Sequence, residues 1–381
     1  MSEWKEYKLG DLIETNALSI NKNYPYTSIL YLDTGSITCN KIESYQCFDI
    51  NNAPSRAKRI VSDEDIIYSL VRPNQLHYGF IKSPQKNLVV STGFVTITCK
   101  KELLCPKFLY YYLTQNFITE YLHTIAEAST SAYPSLKPSD IESLEIEMPL
   151  LSEQKHIASI LGSLDDKIDL LHRENETLEA MAETLFRKWF IEDAKDEWEE
   201  GKLGDEFNFI MGQSPKGESF NEEGKGIPMY QGNADFGFRF PTRRIFTTEP
   251  TRIAEEKDTL ISVRAPVGAQ NMAIEKCCIG RGLAAFKYKK DNLAYYSYTY
   301  YKLKSLLDEI KQFNDNGTVF GSISKSDFNN LDIIIPDLDI IIKFQNIVKP
   351  IDDKIINNDR EIKNLIKLRN GLLSKLILNN L

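Results

Sequence analysis

Residues 198–205 read Trp198-Glu199-Glu200-Gly201-Lys202-Leu203-Gly204-Asp205, and the same phrase stands 194 positions earlier as Trp4-Lys5-Glu6-Tyr7-Lys8-Leu9-Gly10-Asp11. A second phrase also recurs. Asp140-Ile141-Glu142-Ser143-Leu144-Glu145-Ile146-Glu147-Met148-Pro149 returns, at an offset of 187, as Asp327-Phe328-Asn329-Asn330-Leu331-Asp332-Ile333-Ile334-Ile335-Pro336. The same offset carries Asp165-Asp166-Lys167-Ile168 onto Asp352-Asp353-Lys354-Ile355. Between these anchors the match is loose: 65–73 resembles 258–266 with one residue of slippage. The chain is an internal repeat of about 190 residues, far too long a period for a solenoid. The flanks of each copy agree and the interior diverges. That pattern reads as a duplicated frame carrying two different specificities.

Each copy ends in a heptad. Steps of four and three from residue 157 give Ile157, Leu161, Leu164, Ile168, Leu171, Asn175, Leu178, Ala182, Leu185 and Trp189. From residue 344 they give Phe344, Val348, Ile351, Ile355, Asn358, Ile362, Leu365, Arg369, Leu372 and Leu376. A 3.5-residue period sustained this far predicts a coiled coil. Ser152 supplies a cap signal for the first helix, and Asp337 or Asp339 for the second. Each seam holds one Asn, at different heptad positions, and a buried Asn wants a partner. Antiparallel packing in which facing residue numbers sum to 533 sets Asn175 opposite Asn358, Ile157 opposite Leu376 and Trp189 opposite Phe344. Parallel packing in the repeat register would set Asn175 against Ile362. The expectation is an antiparallel pair within one chain; the competing packing leaves each helix on its own domain or on another subunit. A seam from 157 to 189 spans roughly 50 Å. It would hold two heads in a pseudo-twofold arrangement; measured against DNA, heads so placed would touch patches roughly one helical turn or a little more apart.

The chain has 381 residues, 42% of them hydrophobic and 11% aromatic, enough for two or three domain cores and against general disorder. No apolar run reaches the roughly 18 residues of a membrane span. The start, Met1-Ser2-Glu3-Trp4-Lys5, carries no apolar signal segment, so a cytoplasmic location is expected. A net charge of −8 argues against coating nucleic acid with a generally basic surface, but leaves room for a local basic face. Six Cys, at 39, 47, 99, 105, 277 and 278, form no C-x-x-C pair. Reduced, mostly buried thiols and no structural zinc are expected. There is no phosphate loop of the GxxxxGK[ST] kind, no amino-methyltransferase motif and no H-x-x-x-H pair. Pro336-Asp337 with Asp352-Asp353-Lys354 imitates the carboxylate–lysine set of Mg²⁺ nucleases. Its place on a seam helix reads instead as a solvated charged turn. No catalytic or metal-binding residue is assigned.

The heads, 1–150 and 195–337, read as α+β. Strands are expected at 27–32, 66–71, 88–90 and 94–98, then at 259–263, 272–275 and 283–287. Helices are expected at 106–116 and 293–314. Six polar loops stand out: Arg72, Asn74, Gln75 and His77; Ser129, Thr130, Ser131 and Tyr133; Gln213, Ser214 and Lys216; Gln231 and Asn233; Arg264 and Asn271; Asn316 and Thr318. Arg, Asn and Gln make bidentate contacts to base edges, whereas Lys, Ser, Thr and glycine-rich backbone suit phosphates. Any one of these residues alone reads as an ordinary turn; the set suggests DNA contact.

Taken together, these features resemble the specificity subunit of type I restriction-modification systems, over essentially the whole chain. The carriers are the paired Lys-Leu-Gly-Asp starts, the Leu-x-Ile-x-x-Pro strands at 144–149 and 331–336, and the long helices, the first ending Leu185-Phe186-Arg187-Lys188-Trp189-Phe190. Gly212-Gln213-Ser214-Pro215 with Tyr230-Gln231-Gly232 also looks like one class of target-recognition domain. The resemblance implies that 1–150 and 195–337 each read half of a bipartite double-stranded DNA site. It implies that 151–194 and 338–381 form an antiparallel coiled coil that fixes the spacer. The subunit would have no catalysis and no cofactor of its own. It would dock two methyltransferase subunits, which use S-adenosylmethionine to methylate adenine, with restriction subunits that use ATP and Mg²⁺ as an optional addition. One departure is Arg369, at a seam position where the first helix has Ala182; a snorkelling Arg or a methyltransferase contact would account for it. The competing readings are a scaffold binding proteins or glycans, and a nuclease using Asp337, Asp352 and Lys354.

Overall fold

A computed structural model describes residues 4–129, 133–314 and 321–377. The chain forms two compact units, Met1–Asp169 with Lys363–Leu381, and Leu170–Ile362.

The recurring phrases are the two sides of one ribbon. In the first unit Lys5–Lys8 pairs antiparallel with Glu145–Met148, Lys5 opposite Met148. In the second Glu199–Lys202 pairs with Asp332–Ile335, Glu199 opposite Ile335. The ribbon is continued by Leu9 N donating to Leu144 O (2.8 Å) and Leu203 N to Leu331 O (2.8 Å). The glycine of each Lys-Leu-Gly-Asp lies against the short helix that precedes the return strand. A Cβ on Gly10 would sit 3.0 Å from Glu142 O, and one on Gly204 2.6 Å from Asn329 Oδ1. Asp140 and Asp327 cap those helices, accepting from Lys137 N (2.7 Å) and Ser324 N (2.8 Å).

Inside each ribbon lie two main sheets of corresponding order, the second of them with four strands in the first unit and five in the other. The first sheet runs Ile13–Thr15, Phe94–Cys99, Ile66–Ser69, Tyr78–Phe80 in one unit, and Phe207–Met211, Leu283–Tyr288, Thr259–Ser262, Gln270–Met272 in the other. Strands such as Ile66-Ile67-Tyr68 carry β-branched or aromatic side chains on successive residues because both faces are covered. The second sheet holds one parallel pair in each unit, Ser28–Leu32 with Leu88–Ser91, and Ile227–Tyr230 with Cys277–Ile279. The turn entering the inner strand is also shared: Asp65 accepts from Ser62 N (2.7 Å) and Asp258 from Glu255 N (2.9 Å).

The long helices are Leu151–Arg187 and Leu338–Ile377. In the first unit Ile157 and Leu161 share a core with Phe108 and Leu109, and Leu372 and Leu376 pack against it. In the second, Ala182 and Phe186 share a core with Phe344, Val348 and Ile355, with Leu178, Leu185, Trp189 and Ile351 against it. The helices run antiparallel in the expected register. Asn358 Nδ2 donates to Asn175 Oδ1 at 2.9 Å, and the Trp189 and Phe344 rings meet edge to face at 6.3 Å. In the first unit Arg369 Nη1 donates to Asp165 Oδ1 at 2.8 Å, so Arg369 is an ion-pair partner rather than a snorkelling side chain. Every seam position, Leu164, Ile168 and Leu365 included, is buried or half-buried. The helices also pack on their own heads, so the two packings weighed from the sequence coexist.

Several local expectations change. The helix expected at 106–116 ends at Leu113, where Thr114 Oγ1 donates to Tyr110 O (2.9 Å), and a new helix, Asn116–Glu127, follows. The one expected at 293–314 breaks at Leu306 into Asn292–Ser305 and Leu307–Lys311. The strand expected at 272–275 is Gln270–Met272, because Glu275 turns outward to pair with Arg243. Ser152 lies inside the first long helix, whose opening amides at Glu153 and Gln154 donate to Leu150 O. Gln154 instead caps the Pro106–Leu113 helix, accepting from Cys105 N at 2.9 Å. All six Cys are free, but Cys39 and Cys47 are exposed. Among the described residues no helix is long and apolar enough to cross a membrane.

Candidate nucleic-acid interface

Both units build their polar loops on one backbone crossing. Leu70 N donates to Gly93 O (2.8 Å) and Leu70 O accepts from Leu136 N (2.7 Å). Val263 N donates to Gly282 O (2.8 Å) and Val263 O accepts from Ile323 N (3.2 Å). The bridges Val71 to Ser135 and Arg264 to Ser322 make Val71 the counterpart of Arg264. Arg72 is one residue farther on, which is the slippage visible in the sequence.

In the first unit the crossing brings two of the expected loops together. Arg72 N donates to Pro134 O (3.0 Å), and the exposed Arg72 guanidinium lies 5.3 Å from the centre of the Tyr133 ring, itself 61% exposed. Asn74 and Gln75 are exposed on the turn Pro73–Gln75, and Ser129 is half-buried. Thr130 and Ser131 lie outside the described residues. His77 differs from expectation: its Nδ1 lies 2.6 Å from Ile37 O and 3.4 Å from Thr38 Oγ1, so the imidazole braces a neighbouring loop.

In the second unit Gln213, Lys216, Gln231, Asn233 and Arg264 are exposed and Ser214 is half-buried. Gln213 N donates to Ile279 O (3.0 Å), Ser214 Oγ accepts from Arg281 N (3.2 Å), and Gly280 N donates to Tyr230 O (2.8 Å). Three loops therefore meet at residues 280–282. Asn271 is a correction: it is 1% exposed, and its Nδ2 donates to Gly237 O at 3.0 Å, holding a loop rather than presenting an edge. Asn316 and Thr318 lie outside the described residues. The loop compositions do not single out Arg252 and Arg281, yet both are exposed at this meeting point. The available signal is a glycine-flanked arginine, Gly280-Arg281-Gly282, between two apolar runs.

The loop that follows Asn233 is tied to both long helices. Arg239 is 2% exposed and donates to Asp352 Oδ1 (2.8 Å), with Glu179 Oε1 at 3.7 Å. Its guanidinium stacks 3.3 Å from the centre of the Tyr300 ring, and Tyr301 Oη donates to Asp352 Oδ1 (3.3 Å). Lys304 also pairs with Glu179. Asp352 is therefore not part of a solvated turn. Burial raises its pKa and Arg239 pulls it down. The nuclease reading fails on the same geometry. Asp352 is engaged by Arg239, Asp337 by Lys195 (3.5 Å) and Lys354 by Glu174 (3.4 Å). Asp337 and Asp352 also lie about 22 Å apart along a helical rise, too far to share an ion.

Residues 1–180 and 195–368 match the family described as type I restriction modification DNA specificity domain. Over 401 residues the chain is 29% identical to a Methanocaldococcus jannaschii protein provisionally named the type I restriction enzyme MjaX specificity subunit, spanning 98% of this chain and 93% of the relative. It is 24% identical over 464 residues to the type I restriction enzyme HindI specificity subunit of Haemophilus influenzae, spanning 99% of each. The solved type I restriction-modification S subunit of M. genitalium shares the fold, with a TM-score of 0.61 at 20% identity over 99% of this chain and 96% of that one. With both of its copies matched, this chain belongs to the type I restriction-modification DNA specificity family.

Proposed function

We propose that this chain is the DNA sequence-specificity subunit of a type I restriction-modification complex and carries no catalysis of its own. The observation that carries this reading is the pair of heads with one backbone frame and different side chains at the same crossing: Arg72 and Tyr133 in one, Arg264, Gln213 and Gln231 in the other. A duplicated frame with divergent polar loops suits a protein that reads two unlike half-sites. In this reading residues 1–150 and 195–337 are the target-recognition domains. The helices of 151–194 and 338–381 set the gap and dock two methyltransferase subunits. S-adenosylmethionine belongs to those partners, and ATP and Mg²⁺ to restriction subunits where the complex has them. Phosphate contacts made by the methyltransferases reconcile DNA binding with a net charge of −8. The complex acts where the cell keeps its DNA, in the cytoplasm.

The test is a single-molecule methylome of cells with and without the gene. Its deletion should erase one split motif, two short blocks around a fixed gap. If the gene and its methyltransferase are expressed and no motif changes, the specificity reading is wrong and a non-DNA scaffold takes its place.

A further inference from the structure

The arginines of the second head fall into two sets. Arg239 is buried against Asp352, Arg243 is paired through two hydrogen bonds with Glu275 (2.5 and 2.7 Å), and Arg244 pairs with Asp235. Arg252, Arg264 and Arg281 are exposed and make no ion pair among the described residues. These three lie on backbone segments one hydrogen bond apart. Ile279 N donates to Arg252 O (2.9 Å), and Gly282 O accepts from Val263 N, beside Arg264. Arg281 is at the centre, on the turn between Cys277–Ile279 and Leu283–Tyr288.

That turn is held from both sides. A Cβ on Gly282 would stand 2.2 Å from Gln231 O, and one on Gly280 would stand 3.2 Å from both Gln231 Cα and Ser214 Oγ. The glycines let the turn seat between the Gln213-Ser214 and Gln231 loops, and Ser214 Oγ fixes the Arg281 amide itself. A guanidinium on a fixed backbone loses less freedom on binding than one on a mobile loop. Its planar donor fork matches the O6 and N7 of guanine in the major groove. The flanking Arg252, Arg264 and Lys216 are exposed cations, a charge that suits phosphates. In the first head the matching position, two residues before the strand Phe94–Cys99, is Thr92, which cannot make that contact.

We infer that Arg281 is a specificity-determining residue of the second head, reading a guanine at one position of one half-site. The inference rests on the proposed specificity role and deepens it. The test uses the full complex with its methyltransferase. The motif is read by methylome in cells carrying Arg281→Lys or Arg281→Ala in place of the wild-type gene, and by methylation of a DNA library randomised over both half-sites. Preference for guanine should fall by about tenfold or more at one position in Arg281→Ala, and by less in Arg281→Lys, which can still donate to guanine but lacks the planar fork. The other half-site and the gap should be unchanged, and Arg243→Ala, which removes an arginine already paired, should keep the motif. An unchanged motif in Arg281→Ala overturns the assignment. So does an even loss of methylation over all sequences, which marks a phosphate contact. A wild-type complex with no split motif at all overturns the specificity role itself, a result that no Arg281 variant can imitate.

Discussion

Asp165 and Asp352 stand at the same place in the two copies, and each receives a tyrosine hydroxyl and an arginine: Tyr111 (2.6 Å) with Arg369 in one unit, Tyr301 with Arg239 in the other. The repeated Asp-Asp-Lys is thus a fastening between long helix and head. Its recurrence was legible in the sequence, but the pairing of its first Asp was not, because the arginine comes from a distant segment in each case. His77 and Asn271 make the same point: a polar side chain in a loop looks alike whether it faces solvent or braces a neighbour. Glu206 is a buried carboxyl whose protonation state bears on stability. Tyr298 Oη donates to its Oε1 at 2.7 Å, its Oε2 has no partner among the described residues, and burial pushes its pKa from 4.5 up to about 7. At pH below 4.5 both folded and unfolded forms are protonated and nothing is lost. As pH rises from there to 7 the unfolded chain releases a proton that the folded one retains, so stability falls. Above pH 7 the full cost, roughly 3 kcal/mol, is present. Glu206→Gln keeps an acceptor for Tyr298 and should raise Tm at pH 8 more than at pH 5. A Tm that drops equally at both would contradict the raised pKa.

At the scale of the element, the seam was readable because period and register are local patterns. Two lone Asn residues and two flush ends pointed to one pairing, and Asn175 meets Asn358. Helix ends were less readable, since Thr114 and Leu306 break runs that composition alone would continue. The Asn pair offers a test by double-mutant cycle. Asn358 Nδ2 also donates to Glu174 Oε2 at 3.0 Å, so in Asn175→Leu it keeps one partner. Asn358→Leu strips Asn175 of this bond and should be the worse single change. The double change to Leu should be milder than the sum of the singles, by about 1 kcal/mol in urea unfolding. Strictly additive losses would mean that the two side chains do not depend on each other.

For the whole molecule, the duplication was plain from the phrases at either end of each copy, because those phrases form the closing ribbon. The interiors were opaque, since their sheets agree in order while sharing little sequence. The ribbon also says where a head can be exchanged. Cuts at 195 and 337 remove Glu199–Lys202 and Asp332–Ile335 together, leaving no orphaned strand. Replacing 195–337 by the matching segment of a relative should change one block of the methylated motif and preserve the other. A change in both blocks would rule out independent heads. A final consequence concerns time. Arg369 follows Asp165 by 204 residues, and Leu372 and Leu376 complete the core around Ile157 and Leu161. At about 5–20 residues per second a ribosome needs on the order of 10–40 s to travel that distance. Throughout that interval the start of the nascent first helix rests on its own head alone, without the cover that Leu372 and Leu376 later add, while 170–362 emerges as one uninterrupted stretch and can fold. The unit that translation starts first is the one it finishes last.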